Sequence, residues 1–136
     1  MAIRVGINGY GRIARVIIRA ARQLGRNEAK EVGFSAVDQA RITTAISELA
    51  RNIYLYALVG EIIIERITDG TRVGIRIIAE DKGQGIYDVS KVMEDGYSTS
   101  GGLGLGLPGV KRLMDDIKIQ SEVGEGTKIV TEKWLE

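Results

Sequence analysis

Four places in the chain combine residue types and spacings that could do chemistry. Glu48 and Asn52 stand four apart in a helix-like segment, so an acid and an amide would project from one flank, one turn apart. Asp81 follows the β-branched run Ile75 to Ile78 and opens Asp81-Lys-Gly83-Gln-Gly85. A second glycine cluster, Gly101-Gly-Leu-Gly104-Leu105-Gly106-Leu107-Pro-Gly109, runs into the helix-like segment Val110 to Met114. Gly9-x-Gly11-x-x-Ala14 follows a short strand pattern and opens a helix. Glycines so placed let backbone N–H groups approach a phosphate, and a helix N-terminus adds a favourable dipole. Residues 80–109 are therefore expected to form a nucleotide pocket with a mobile cover, although a plain flexible loop would share the composition. From spacing alone, Glu48 also reads as a solvated surface acid and Asn52 as an incidental helix residue.

Composition narrows the chemistry. With 136 residues the chain is expected to be a single domain, 1–136, with a real core. Its net charge of +1 gives no global field that favours nucleic acid or an acidic membrane. It has no cysteine, which excludes disulfides, thiolate metal sites and thiol nucleophiles, and no histidine, which excludes imidazole bases, imidazole metal ligands and phosphohistidine. No apolar run approaches a membrane span and no signal-peptide pattern is present, so a cytoplasmic location is expected by default. The outlying count is eighteen glycines against one proline.

The elements that must position these residues follow from periodicity. Residues 2–7 read as a strand, and 12–31 as a helix with Ile13, Val16, Ile17, Ala20, Ala21 and Leu24 on its apolar face. The opening Ile3-Arg4-Val5-Gly6-Ile7-Asn8-Gly9-Tyr10-Gly11-Arg12-Ile13 begins the spacing Gly9-x-Gly11-x-x-Ala14, which matches a dinucleotide fingerprint in its strand-turn-helix context. It also resembles the first twenty residues of glyceraldehyde-3-phosphate dehydrogenase. A dinucleotide fold needs a second parallel strand soon after the helix, ending in an acid for the ribose. Here the helix runs instead into Val32-Gly33-Phe34-Ser35 and another helix. Residues 1–20 are thus expected to supply an edge strand and part of a first helix to a different fold, as a grafted or recombined N-terminus would.

Gly33 fits a helix stop, and Ser35-x-x-Asp38 a variant capping box. The next helix, about 37–56, carries the stripe Ala45, Ile46, Leu49, Ile53 and Tyr56. Strands are expected at 61–67 and 72–79 around Asp69-Gly70, then the glycine-bracketed stretch and a helix at 108–116. A final hairpin, 117–122 and 127–134, turns at Val123-Gly124-Glu125-Gly126. The order β, α, α, β, β, cover, α, β, β predicts an α/β sandwich of two layers, a mixed and mostly antiparallel sheet with helices on one face.

Glu48-Leu-Ala-Arg-Asn52 on a helix, Asp81-Lys-Gly83-Gln-Gly85 after a strand, Gly102-Leu-Gly104-Leu-Gly106 before a helix, and Gly124-Glu-Gly126-Thr127 in the last hairpin occur in this order. Together they resemble the boxes of the GHKL (Bergerat-fold) ATPases, the family of gyrase, Hsp90, histidine kinases and MutL. From about Ala21 onward the chain is similar to one branch, the anti-sigma-factor group of serine kinases, which includes the switch kinases of the bacterial stressosome. Residues 21–27, 38–54, 98–104 and 107–115 carry that likeness. The N-terminal segment departs from it.

The resemblance implies roles. Asp81 would accept a hydrogen bond from the adenine amine, Gly83 and Gly85 would leave room for the base, and Thr127 would complete its recognition. Asn52 would bind Mg²⁺, and Glu48 would be the general base for a substrate serine. Gly104, Leu105, Gly106 and Leu107 would offer N–H groups to the phosphates of ATP, with Ser98 and Thr99 covering them. Lys111 and Arg112 read better as a solvated helix face. The implied partners are STAS-domain antagonist or scaffold proteins as substrates and a metal-dependent serine phosphatase that the released kinase activates by binding. A homodimer is also implied. An anti-sigma factor that sequesters a sigma subunit, a nicotinamide-dinucleotide binder using Gly9 and Gly11, and an engineered or recombined chimera remain as other readings of the same residues.

Overall fold

The computed structural model describes residues 2–10, 14–94 and 106–136. Its strands are β1 (Ala2–Asn8), β2 (Val59–Thr68), β3 (Val73–Asp81), β4 (Asp116–Glu122) and β5 (Gly126–Trp134). Its helices are α1 (Ala14–Val32), α2 (Ala36–Asn52), α3 (Val89–Val92) and α4 (Leu107–Leu113). The sheet order is β1-β2-β3-β5-β4, and β1 lies at an edge as expected.

All four pairings are antiparallel, so the parallel component implied by a mixed sheet is absent among the described residues. Connectivity gives the reason. The antiparallel pair α1 and α2 carries the chain away and back, so β2 starts where β1 ended and runs against it. Hairpins then reverse β3 on β2 and β5 on β4. A consequence follows for function: the ends of β1, α2 and β3, the start of α4 and the β4–β5 turn all fall at one end of the sheet.

Period-two alternation sorts each strand into two faces. Val5 and Ile7, Ile62 and Ile64, Ile75 and Ile77, and Ile129 point into the core shared with the helices. The opposite face carries charge laid out across the strands. Arg76 is held by Glu65 at 2.9 Å and Glu132 at 2.7 Å, and Arg4 by Glu61 at 2.8 Å. Ile63 is buried on that second face, outside the main core. On the helix side Ile42, Ala45, Ile46, Leu49 and Ile53 are fully buried, which bears out most of the expected stripe. Burying each large aliphatic side chain is worth roughly 1.5–3 kcal/mol.

Local chemistry sets the boundaries. Gly33, at φ +114°, ends α1. The Ser35 hydroxyl then accepts the Asp38 N–H at 3.2 Å to cap α2. Ala21, Gly25 and Ala29 are buried four residues apart on α1, and a Cβ on Gly25 would overlap Ile46 Cδ1, so small residues let α1 approach α2 this closely. Val16 and Ala20, expected on that face, are exposed, Ile17, Ala21 and Leu24 pack into the core as expected, and Ile18 joins them. Ile13 lies outside the described residues. The Asp69 carboxylate closes the β2–β3 turn by accepting from the N–H groups of Thr71 and Arg72 and from the Arg72 guanidinium, which holds it below the usual carboxylate range. Arg72 also stacks 4.2 Å over the Trp134 ring.

Candidate nucleotide site

The helix expected through residue 56 changes form at 53. Residues Ile53–Ala57 make a π-helical turn directly after Asn52, closed by the Leu58 N–H on the Ile53 carbonyl at 2.7 Å. Leu58 then adopts φ 70°. The wider turn directs Asn52, Ile53, Tyr56 and Ala57 into a cavity of about 610 Å³ at the end of the sheet where the segments converge. That volume lies within the usual range of small-molecule pockets, roughly 300–1,000 Å³.

Asp81 is the last residue of β3 and pairs with Gly60 on one side and Thr127 on the other. Its side chain lines the cavity, and its Oδ1 accepts the Gly83 N–H at 2.8 Å. Burial pushes its pKa up, the Gly83 and Thr127 N–H groups oppose this, and neighbouring Glu80 adds to the rise. The carboxylate is thus partly desolvated at the cavity wall, where it can take a donor from a ligand. Gly83 is fixed by approach: a Cβ there would lie 2.6 Å from Ala57 Cβ.

The Thr127 hydroxyl is 2.8 Å from the Ser121 hydroxyl, which also accepts the Ile86 N–H at 2.7 Å and donates to the Gly126 carbonyl at 3.0 Å. Ser121 therefore ties the loop after Gly85 to the last hairpin. Thr127 and Gly85 both line the cavity.

Glu48 lies one turn before Asn52 and outside the cavity lining, but against the start of α4. Gly106 caps α4 at φ +67°, and a Cβ there would sit 2.5 Å from Glu48 Oε2. The acid and the N–H groups at the start of α4 thus share one corner. Leu107 is fully buried, so its side chain belongs to the core and only its backbone could serve a ligand. Lys111 and Arg112 are exposed, as expected. Ser98, Thr99, Gly104 and Leu105 lie outside the described residues.

Several lining residues escaped the sequence reading. Tyr56 counted only as part of an apolar stripe. Ile86, Tyr87, Asp88, Lys91 and Val92 fell in a stretch read as undivided cover. There Asp88 caps the short helix α3 by accepting the Lys91 N–H at 3.1 Å. An aspartate four residues before the first buried apolar residue, Val92, would have been the signal. No described residue of the N-terminal fingerprint lines the cavity: the Gly9 N–H donates to the Leu58 carbonyl at 2.5 Å, behind the π turn.

The donor set fits a nucleotide whose metal is held mainly by phosphate and water. Asn52 is an amide side chain that lines the cavity with Asp81 and could supply an oxygen, and the described residues contain no cluster of three acidic side chains that would form a metal cage. No helix of the described structure is long and apolar enough to cross a membrane.

Residues 37–136 match the family described as histidine kinase-, DNA gyrase B- and HSP90-like ATPase. The chain belongs to this family. It is 70% identical over 118 residues to the serine/threonine-protein kinase RsbT of Bacillus subtilis, covering 87% of this chain and 89% of that one. It is 29% identical over 102 residues to the anti-sigma F factor of a Thermoanaerobacter species, covering 71% of this chain and 70% of the relative. The catalytic domain of the histidine kinase ThkA has the same fold, with a TM-score of 0.52 at 19% identity over 96% of this chain and 95% of that one. A separate 40-residue match, 50% identical, is to glyceraldehyde-3-phosphate dehydrogenase of Schizophyllum commune and covers 28% of this chain and 12% of that one. Both resemblances read from the sequence are thereby borne out. The relatives support ATP use and the kinase reading.

Proposed function

We propose that the protein is an ATP-dependent serine/threonine kinase of a partner-switching pathway. Its expected substrates are serines on STAS-domain antagonist proteins, and its second role is to bind and activate a metal-dependent serine phosphatase in a stress-response sigma-factor pathway. A cytoplasmic location and a single domain fit this reading. The observation that carries it is the corner where Glu48 meets the start of α4, one turn from Asn52 and at the end of a cavity that holds Asp81.

Asp81 accepts the adenine amine, which selects adenine over guanine because guanine offers a carbonyl there. Gly83 and Gly85 leave space for the ring, and Thr127 supports its recognition. The N–H groups of residues 104–107 would serve the phosphates, with Ser98 and Thr99 as their cover, as the family likeness implies. Mg²⁺, held through Asn52, would neutralise phosphate charge. Glu48 takes the proton of the serine hydroxyl as its oxygen bonds to the γ-phosphorus, and the bond from that phosphorus to the ADP oxygen breaks.

The test is transfer of labelled phosphate from ATP to candidate STAS proteins. Glu48→Ala should keep ATP affinity and lose transfer, by about a hundredfold or more if the base contributes its usual share. Full transfer by this variant would sink the assignment of the base. A second reading, sequestration of a sigma subunit, is favoured by the 29% identity to an anti-sigma F factor. Binding to sigma factors and not to STAS proteins would select it. The dinucleotide reading has less support, because Gly9 packs behind the π turn and the described sheet has no parallel β-α-β unit. A recombined N-terminus accounts for the dehydrogenase-like stretch beside the kinase-like remainder.

A further inference from the structure

The π turn and the helix before it have a second face. Leu49, Asn52, Ile53, Tyr56 and Ala57 look into the nucleotide cavity, whereas Ser47, Arg51, Tyr54 and Leu55 line a separate groove against α1, of about 510 Å³. Across that groove stand Arg15, Arg19 and Arg22, which share one side of α1 at spacings of four and three. They span about 10 Å at the helical rise. No lining residue is acidic.

These four arginines differ in their partners from five others in the chain. Arg4, Arg41, Arg66, Arg72 and Arg76 each hold a carboxylate. Among the described residues Arg15, Arg19, Arg22 and Arg51 form no ion pair or side-chain hydrogen bond. Four guanidinium groups converging on one groove without counter-charges repel one another unless an anion joins them. Arginine forks suit carboxylates, which they bind in pairs of parallel hydrogen bonds. The groove is not purely polar: Ile18, Tyr54 and Leu55 give it apolar surface, and Leu55 is 53% exposed.

We propose that this groove docks an acidic, amphipathic segment of a partner protein, with carboxylates on the four arginines and an apolar side chain over Tyr54 and Leu55. A nucleic acid fits less well. Its backbone needs an extended basic track, whereas the positive charge here is confined to one groove on a chain of net charge +1. Two of the four arginines, Arg15 and Arg19, come from the first turns of α1, within the stretch that resembles the dehydrogenase. The dehydrogenase-like segment thus supplies half of the basic surface. This inference does not rest on the kinase reading, because the groove and the nucleotide cavity share no lining residue.

The test uses a fluorescein-labelled peptide of alternating glutamate and leucine pairs. Its controls are the same peptide with glutamine for glutamate and a labelled single-stranded oligonucleotide. Arg15 and Arg19 are exposed, so Arg15→Glu/Arg19→Glu leaves the packing of α1 intact, and Arg51→Glu probes the other wall. Either variant should weaken the acidic peptide about tenfold or more, with the loss shrinking as salt is raised. Lys118→Glu, on β4 away from the groove, should change nothing. ATP binding should be the same in all variants, which separates failure here from failure of the nucleotide site. Unchanged peptide affinity in both groove variants, equal binding of the glutamine peptide, or tighter arginine-dependent binding of the oligonucleotide would each overturn the proposal.

Discussion

Gly106→Ala moves the proposed base without removing it. Gly106 has φ +67°, where an L-residue costs about 1–2 kcal/mol. For a chain of 136 residues the unfolding entropy turns this into a melting point lower by about 3–7 °C. The new Cβ would also lie 2.5 Å from Glu48 Oε2, closer than any carbon and oxygen in van der Waals contact, so the carboxylate must swing away by close to an ångström. It is the far end of a flexible side chain, so this shift adds little to the stability cost. A misplacement of about 1 Å in a reacting group can cost on the order of a hundredfold in rate. The assay pairs calorimetric ATP binding with phosphate transfer to a STAS-domain substrate. We expect a small loss in melting temperature, ATP affinity within a few-fold of the parent, and transfer reduced about a hundredfold. Full transfer by a folded Gly106→Ala protein would refute the link between the position of Glu48 and the chemistry. Loss of ATP binding would show instead that the effect runs through the start of α4.

Other expectations follow from the same geometry. Asp81→Asn should lose ATP binding, read by titration with a fluorescent nucleotide. In the parent, ATP affinity should fall as pH drops through the raised Asp81 pKa, earlier than an ordinary aspartate would allow, because the adenine amine needs the ionised acid. Stability moves the other way for this group. The folded state holds the Asp81 proton more tightly than the unfolded chain does, so ionising it costs stability as pH rises from the unfolded pKa through the folded one. The ligand-free parent, relative to Asp81→Asn, should therefore gain stability as pH falls through that window, and urea unfolding at a series of pH values checks it. Ile46→Ala empties a fully buried position between α1 and α2 and should cost about 2–5 kcal/mol in urea unfolding.

Most of the element order was legible in the sequence because it rests on local rules. Isoleucine-rich runs marked β2 and β3, Gly33 and Ser35 marked the break between α1 and α2, and Asp69-Gly70 marked a hairpin. The residues expected at the site came partly from spacing and partly from family likeness. The structure brings Asn52, Asp81, Gly85 and Thr127 to one cavity and sets Gly83 and Glu48 at its margins. The Asx-like contact of Asp81 with Gly83 is local and was within reach of the sequence. The link from Ile86 through Ser121 to Thr127 joins residues 35 apart and was not.

The sequence by itself determined which residues could do chemistry, which chemistry its missing histidine and cysteine exclude, and the order of the five strands and the three longer helices. These are matters of residue type and near-neighbour spacing, written in the chain at short range. Tertiary structure alone decided the rest. It made every strand pairing antiparallel, because two packed helices return the chain to the end it left. It turned the residues after Asn52 into a π turn that serves a cavity on one side and a basic groove on the other. It also laid Glu48 against Gly106, 58 positions further along, a contact that no local pattern encodes because it exists only when α4 packs on α2.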